Sequence, residues 1–306
     1  MHDIRIALAQ ITCPVGQLAQ NLEKHRQYTR RAAQAGAHLI CFSEGSLTGY
    51  PAGPDVPHEL AQTLDGELCR SLIALSAETK VLVLAGLVER DRSGVLYNTV
   101  VVAAPQGLIG GYRKAHVSCT EIHRFNEGDE FLTFSWHGST FGVQICYDMH
   151  FAEMTRCLAL RGAEVILALY ASPDPCTPEG HAAKRNRWLK YLPARAFDNS
   201  VYVVAVNQVG SSGPLEYPGN SIVFDPTGEI MAEATPMKED LLIVNLAAAG
   251  LLAKRREALQ FFTQFRRPEL YGELLRSSRV AIGEPATSRR LKPELQHLPG
   301  ADPDIA

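Results

Sequence analysis

The feature that most constrains the fold of this 306-residue chain is a pattern that occurs twice. Gly36-Ala37-His38-Leu39-Ile40 follows a helical stretch, and Gly162-Ala163-Glu164-Val165-Ile166 follows another. The apolar run Val81–Val88 has a later counterpart in Val201–Val206. Each half therefore repeats the order helix, strand, helix, strand.

A third match extends the repeat into a hairpin. Asn98–Val101 precedes Pro105–Ile109 in the first half, and Asn220–Val223 precedes Pro226–Ile230 in the second half. Coincidence among common α/β elements is the alternative, and three matches in the same order make it the weaker one. We therefore predict two similar halves, each a sheet covered by helices, packed sheet to sheet as a four-layer α-β-β-α sandwich with internal pseudo-two-fold symmetry.

Hydrophobic periodicity supports a mixed α/β protein. Strands are predicted at Ile4–Gln10, Leu39–Phe42, Val81–Val88, Thr99–Ala104, Phe131–Trp136, Thr140–Ile145, Val165–Leu169, Val201–Val206 and Ser221–Phe224. Helices are predicted at Leu18–Ala35, Glu59–Thr79, Phe151–Arg161 and Ala182–Phe197. The pattern changes after about Ala247, so we expect one domain over residues 1–275. Residues 276–306 are expected to form an arm or tail that is partly disordered or lies at a subunit interface.

Composition narrows the class of partner. The net charge of −3 and the sequence pI of about 6.4 give no global basic field, which disfavours nucleic acid or a membrane surface as partner. The start of the chain alternates like a strand rather than a signal peptide, and no apolar run is long enough for a bilayer. Seven cysteines without framework spacing are typical of free thiols, so we expect a cytoplasmic protein.

The segment Gly142–Asp148 is a candidate nucleophile site. Val143 and Ile145 alternate with polar positions, and a helical run starts at Phe151, so Cys146 is predicted at a strand-to-helix turn. A helix N-terminus favours a thiolate there. A buried structural cysteine is the alternative.

Two carboxylates and a lysine could serve such a nucleophile. Glu44 follows a buried strand, where loss of water should raise its pKa toward that of a general base. Lys114 follows a hairpin return strand, and Glu121 lies seven residues later. For each of them an ordinary role is open: a loop carboxylate, a solvated lysine or a turn residue. A metal site at His116, Cys119 and His123 is disfavoured because paired zinc ligands usually lie closer together.

These motifs, in this order, resemble the nitrilase superfamily of carbon–nitrogen hydrolases from Ile4 to about Tyr271. The resemblance implies that Glu44 is the general base, Lys114 stabilises the intermediate, Cys146 is the nucleophile and Glu121 supports Lys114. It also implies an α-β-β-α sandwich, a homodimer or larger homo-oligomer, and a small-molecule substrate. No metal or organic cofactor is required by the implied mechanism.

The residues after the cysteine refine the reaction. Tyr147-Asp148 resembles the amidase and carbamoylase branch, whereas nitrilases usually carry Trp-Glu at this position. The implied reaction is hydrolysis of an amide or an N-carbamoyl compound through a thioester. A nitrilase or an acyltransferase on the same fold is one alternative, and a non-catalytic binding or regulatory subunit is another.

Substrate contacts are predicted in loops at the same end of the sheets. The repeat aligns Glu44 with Tyr170, which places the segment Tyr170, Ala171 and Ser172 at the site. Further predicted substrate contacts are Tyr50, in the loop that continues through Pro51–Pro57, Tyr147, whose backbone N–H would help hold the oxyanion, and Arg185, which would bind a substrate carboxylate. A packed aromatic is the alternative for Tyr50, and a solvated helix face for Arg185.

Overall fold

A computed structural model describes residues 1–51, 53, 60–257 and 259–275. Met1–Phe265 forms one compact unit, and Arg266–Ala306 is a separate unit. In the described part of the second unit, two short 3-10 helices occupy Pro268–Leu270 and Gly272–Leu275. The predicted arm at 276–306 and most of the loop Pro51–Pro57 lie outside the described residues.

The first unit alternates strands and helices. Its strands are β1 Ile4–Gln10, β2 Leu39–Cys41, β3 Leu82–Arg90, β4 Leu96–Ala104, β5 Gly107–Arg113, β6 Thr133–Trp136, β7 Ser139–Ile145, β8 Val165–Leu169, β9 Tyr202–Val206, β10 Val209–Ser212, β11 Leu215–Pro218, β12 Ile222–Phe224, β13 Ile230–Glu233 and β14 Asp240–Leu246. Its α-helices are α1 Leu18–Gln34, α2 Glu67–Thr79, α3 Ala152–Leu160, α4 Pro178–Trp188, α5 Leu192–Asn199 and α6 Ala248–Arg256.

The strands form two six-stranded sheets with the same internal order. The first sheet runs β14-β1-β2-β3-β4-β5, and the second runs β6-β7-β8-β9-β12-β13. In each sheet three parallel strands are flanked by antiparallel ones, β1-β2-β3 in the first and β7-β8-β9 in the second. The predicted internal repeat is therefore confirmed as two sheets of matching topology.

Alternation along the strands determines the layers. On β1, Ile6 and Leu8 belong to the same apolar cluster as Val143 and Ile145 of β7, so the two sheets pack face to face. The intervening Ala7 and Ala9 belong to a second cluster with side chains of α1 and α2. Helices α3 and α5 add their apolar residues to the outer side of the second sheet. The predicted four-layer α-β-β-α sandwich is confirmed.

Some helix boundaries differ from those predicted. The helix predicted from Glu59 begins at Glu67, and the helix predicted over Ala182–Phe197 is two helices, α4 and α5. The break falls before Pro193, which lies in the first turn of α5, where its missing N–H costs nothing. Within the described ranges, no helix is long and apolar enough to span a membrane.

Candidate active site

Three strand ends carry three of the four predicted catalytic residues, and Glu121 lies between β5 and β6. Glu44 follows β2 by three residues, Lys114 directly follows β5, and Cys146 directly follows β7. The turn after β2 packs tightly against β3, since a Cβ added at Gly86 would lie 2.2 Å from the backbone nitrogen of Gly45. A glycine at position 86 thus lets the Glu44 turn approach the neighbouring strand.

A hydrogen-bond network joins the lysine to both glutamates. Lys114 Nζ donates to Glu44 Oε1 at 2.9 Å and to Glu121 Oε2 and Oε1 at 2.8 and 3.0 Å. Asn98 Nδ2 donates to the same Glu44 Oε1 at 2.6 Å and to Glu121 Oε1 at 3.0 Å. All four side chains are buried. A buried cation with two carboxylates and an amide bridge is a rigid group, because every partner has at least two bonds.

The second oxygen of Glu44 is held by the other half of the repeat. The backbone N–H of Ala171, just after β8, donates to Glu44 Oε2 at 2.6 Å. Gln208 Nε2 donates to the backbone carbonyl of Glu44 at 3.2 Å. The segment that the repeat aligned with Glu44 therefore lies against it.

Cys146 occupies an unusual backbone conformation. Its φ of +46° is in the left-handed region, and it begins a 3-10 helix, Cys146–His150, that precedes α3. A non-glycine residue there is strained by roughly 1–3 kcal/mol, and such strain is concentrated at functional sites. The predicted strand-to-helix turn is present, with a 3-10 helix as its first turn.

The charges of the site shift each other's pKa values. Burial raises the pKa of Glu44, and the negative charge of Glu121 adds to this, while Lys114 opposes it. Burial raises the pKa of the Cys146 thiol well above its ordinary value, and Glu44 raises it further. Burial disfavours the charge of Lys114, but Glu44, Cys146 and Glu121 outweigh it, so its pKa is raised. Burial likewise opposes ionisation of Glu121, yet Lys114 lowers its pKa to about 2.

This arrangement holds a neutral thiol beside a carboxylate of raised pKa, with a permanent cation next to both. Residues 5–256 match the profile of the family described as carbon-nitrogen hydrolase. The chain belongs to the carbon-nitrogen hydrolase family.

The similarity to known carbon-nitrogen hydrolases covers most of the chain. It is 31% identical to a protein named nitrilase from Pyrococcus abyssi, over 88% of this chain and 99% of that one. It is 33% identical to an (R)-stereoselective amidase from a Pseudomonas species, over 83% and 89%. The crystal structure of a carbon-nitrogen hydrolase from Helicobacter pylori superposes with a TM-score of 0.81 at 24% identity, over 90% and 98%, which shows the shared fold.

Two of the tyrosines predicted to contact substrate lie near the residues predicted to be catalytic. Tyr50 is half-buried, and burial together with the negative charges of Glu44 and Glu121 raises its pKa. Tyr170 is fully buried and packs on Trp188 at a ring distance of 4.3 Å.

Tyr147 lies at the rim of the site. Its side chain is 38% exposed and rests against His150 and Phe151, at ring distances of 5.4 and 5.5 Å. It directly follows Cys146, so its backbone N–H belongs to the first turn of the 3-10 helix.

Of the neighbouring basic residues Lys184 and Arg185, Lys184 lies nearer to the site. Arg185 makes a surface ion pair with Glu233, at 2.6 Å between Nε and Oε1, so its geometry does not support the predicted contact with a substrate carboxylate. Lys184 is buried and donates to Ser172 Oγ at 2.7 Å, with Asp174 Oδ2 also at 2.7 Å. It thereby clamps the segment that follows Ala171.

Sequence reasoning missed Asn98, and in the basic cluster that begins at Lys184 it chose Arg185 instead of Lys184. Asn98 has a visible signal, since it is a polar residue just before the apolar run Val100–Ala104 of β4. Lys184 has none, because neighbouring helical positions differ by about 100° and only the packed fold determines which one faces inward. Among the residues that the structure describes, no group of three or more side chains could hold a metal ion. His116, which was considered as a metal ligand, has its Nδ1 2.9 Å from Asp148 Oδ1.

Proposed function

We propose that this carbon-nitrogen hydrolase uses Cys146 to hydrolyse small linear amides through a thioester, with release of ammonia or an amine. The observation that carries the proposal is the position of Lys114 Nζ, within 3.0 Å of both Glu44 and Glu121, at a buried site beside the thiol. A solvated lysine would show no such partners, and a merely structural cation would need no neighbouring thiol.

The first half of the reaction forms the thioester. The carboxylate of Glu44 takes the thiol proton of Cys146, and the thiolate sulfur attacks the amide carbon. Lys114 and the backbone N–H of Tyr147 stabilise the negative oxygen of the tetrahedral intermediate. The C–N bond then breaks as the leaving nitrogen takes the proton from Glu44, which returns to the carboxylate form.

The second half of the reaction regenerates the enzyme. Glu44 takes a proton from water, the hydroxide oxygen attacks the thioester carbon, and the C–S bond breaks. The departing sulfur of Cys146 recovers the proton from Glu44, and the product is a carboxylic acid. The raised pKa of Glu44, caused first by burial, suits this shuttle because it makes the carboxylate a stronger base toward the thiol and toward water.

An amide is supported over an N-carbamoyl amino acid by two observations. The relative from Pseudomonas is named an amidase. The basic residue proposed for a substrate carboxylate, Arg185, is already paired with Glu233. N-carbamoyl compounds are a further substrate class to be assayed with the same enzyme.

A nitrile is a second candidate substrate, because the relative from Pyrococcus abyssi is named a nitrilase. The thiol would add across the nitrile to give a thioimidate, one water would convert it to the same thioester with release of ammonia, and a second water would hydrolyse the thioester to the acid. The pair Tyr147-Asp148 after the nucleophile favours the amide.

The test is ammonia release from aliphatic amides, ω-amides, N-carbamoyl amino acids and nitriles, with wild type and Cys146→Ala. We expect turnover of amides by wild type and none by the variant. Hydroxylamine as acceptor yields a hydroxamate from the thioester, and the ratio of hydroxamate to free acid measures acyl transfer against hydrolysis. Absence of turnover across the panel by folded wild-type protein would favour the non-catalytic alternative.

We also propose that the protein forms a homodimer or larger homo-oligomer. Leu252, Leu259 and Phe265, near the end of the first unit, are large apolar side chains with 47%, 89% and 63% exposure. Exposed apolar residues concentrated in one segment are typical of interfaces between subunits. Size-exclusion chromatography coupled to light scattering measures the mass of the assembly. A monomer at micromolar concentration would contradict the proposed oligomer.

A further inference from the structure

The carboxylate of Asp148 joins the two segments that carry the lysine and the nucleophile. Its Oδ1 accepts a hydrogen bond from the backbone N–H of His116 at 2.9 Å, and His116 Nδ1 is also 2.9 Å away. Its Oδ2 accepts from the Tyr112 hydroxyl at 2.6 Å and from the backbone N–H of Ile145 at 2.9 Å. Asp148 is completely buried.

The positions of these donors along the chain are informative. Two of them lie two residues before and two residues after Lys114, and the third directly precedes Cys146. The Tyr112 hydroxyl also accepts a hydrogen bond from the backbone N–H of Ala115, at 3.1 Å. The backbone on both sides of the lysine and the backbone of the nucleophile turn thus meet at one carboxylate.

The nucleophile turn needs such a restraint. Cys146 has a φ of +46°, a conformation that an isolated non-glycine residue rarely adopts. The bond from the Ile145 N–H to Asp148 Oδ2 spans this residue and closes the first turn of the 3-10 helix, as a capping carboxylate does. The strained backbone therefore depends on the side chain two residues after the nucleophile.

A buried carboxylate is costly unless its oxygens are fully hydrogen-bonded. The bonds to Asp148 meet this condition, with the His116 ring in the tautomer that carries the proton on Nδ1. The His116 ring is fixed in turn by stacking on Phe151, at 3.9 Å between ring centres. An asparagine at position 148 could not replace the carboxylate. Its amide NH₂ would face two groups that are themselves hydrogen-bond donors.

We propose that Asp148 is a positioning residue, which fixes Lys114 Nζ and the Cys146 sulfur relative to each other for the attack on the substrate. The inference rests on the proposed function and adds a residue that acts through others rather than touching the substrate. Small displacements of reacting groups cost rate rather than affinity. Loss of the Asp148 bonds should therefore lower kcat and leave KM nearly unchanged.

Two variants and one matched control test this. Asp148→Asn removes the charge, and Tyr112→Phe removes one hydrogen bond to it. Tyr202→Phe is the control, because the Tyr202 hydroxyl donates to the backbone carbonyl of Ala247 at 2.8 Å, away from the site. The measurements are kcat and KM on the best amide, the melting temperature, and the rate of Cys146 alkylation by iodoacetamide.

We expect Tyr112→Phe to lower kcat by about 10-fold and Asp148→Asn by about 100-fold or more, with KM changed by less than about 3-fold. Tyr202→Phe and Tyr112→Phe should each lower the melting temperature by a few degrees. The kcat of Tyr202→Phe should stay at the wild-type value. Alkylation of Cys146 should change in Tyr112→Phe and not in the control.

The inference is overturned if folded Tyr112→Phe keeps the kcat and the alkylation rate of Tyr202→Phe, since Asp148 is then structural only. If Asp148→Asn does not fold, Tyr112→Phe decides alone. Wild-type protein without amidase activity contradicts the proposed function, whereas the alkylation rates still decide whether Asp148 positions the thiol.

Discussion

Lys114 and Glu121 form a two-point contact, in which Nζ lies 2.8 Å from one carboxylate oxygen and 3.0 Å from the other. Glu121 is itself held by the backbone N–H of Ser118 on Oε2 and by Asn98 on Oε1. Glu121 therefore orients the lysine in addition to Glu44, and the ammonium group stays charged although it is buried.

The first prediction concerns this contact. Glu121→Gln retains the shape of the side chain but replaces one acceptor oxygen with an NH₂ that faces Lys114. We expect kcat/KM for amides to fall by about 100-fold or more, because a buried charge-assisted bond is lost next to the developing oxyanion. Steady-state kinetics measure it, and activity within 3-fold of wild type would show that Glu121 does not support Lys114.

The second prediction is the acid dependence of stability. The pKa of Glu121 is about 2 in the folded protein against an ordinary 4.5, since Lys114 outweighs the effect of burial. A carboxyl group with a lowered folded-state pKa stabilises the fold above its unfolded pKa, and this stabilisation disappears as pH falls toward the folded value. The wild-type advantage over Glu121→Gln in free energy of unfolding should shrink between pH 5 and pH 3. Urea titrations measure it, and an advantage that grows on acidification would be inconsistent with this.

The third prediction separates two neighbouring basic residues. Lys184→Met removes the clamp on Ser172 and Asp174, which lets the backbone N–H of Ala171 drift from Glu44. We expect kcat/KM to fall by about 10-fold to 100-fold. Arg185→Met is the matched control on the same helix.

Arg185→Met breaks only a surface ion pair, so it should change kcat/KM by less than about 3-fold and stability by under about 1 kcal/mol. A large rise in KM for acidic substrates in Arg185→Met, with Lys184→Met unaffected, would restore Arg185 as the substrate contact.

The fourth prediction concerns the packing of the Glu44 turn. A Cβ at position 86 would lie 2.2 Å from the Gly45 nitrogen and 2.8 Å from the backbone of Glu44, and backbone atoms cannot yield cheaply. Gly86→Ala should therefore lose several degrees of melting temperature and most activity. Gly110→Ala, which meets only the flexible Leu132 side chain at 3.3 Å, should be mild. Equal behaviour of the two variants would contradict the tight contact.

Much of this fold can be predicted from the sequence because each strand and helix of the repeat has its own local hydrophobic pattern. The strand predicted at Ile4–Gln10 has those bounds in the structure, and so does Val165–Leu169. The predicted strands leave out β14, Asp240–Leu246, whose apolar run Leu241–Val244 is visible in the sequence, but whose pairing with β1 is not. Pairing over such a distance leaves no local signal.

The candidate site can likewise be predicted only in part. Glu44 and Cys146 are predictable because each follows an apolar run, and Lys114 and Glu121 because they lie in motifs that resemble those of the family. The left-handed backbone of Cys146 has no signal in a residue type that rarely adopts it.

The central claim is that Cys146 carries the acyl group. Wild-type protein mixed with excess amide and quenched in acid within milliseconds should show an intact-mass increase equal to the acyl group minus one hydrogen. Peptide mapping should place it on Cys146, and Cys146→Ala should show neither the adduct nor ammonia release. Ammonia release by Cys146→Ala at the wild-type rate, or an acyl group on another residue, would contradict the account.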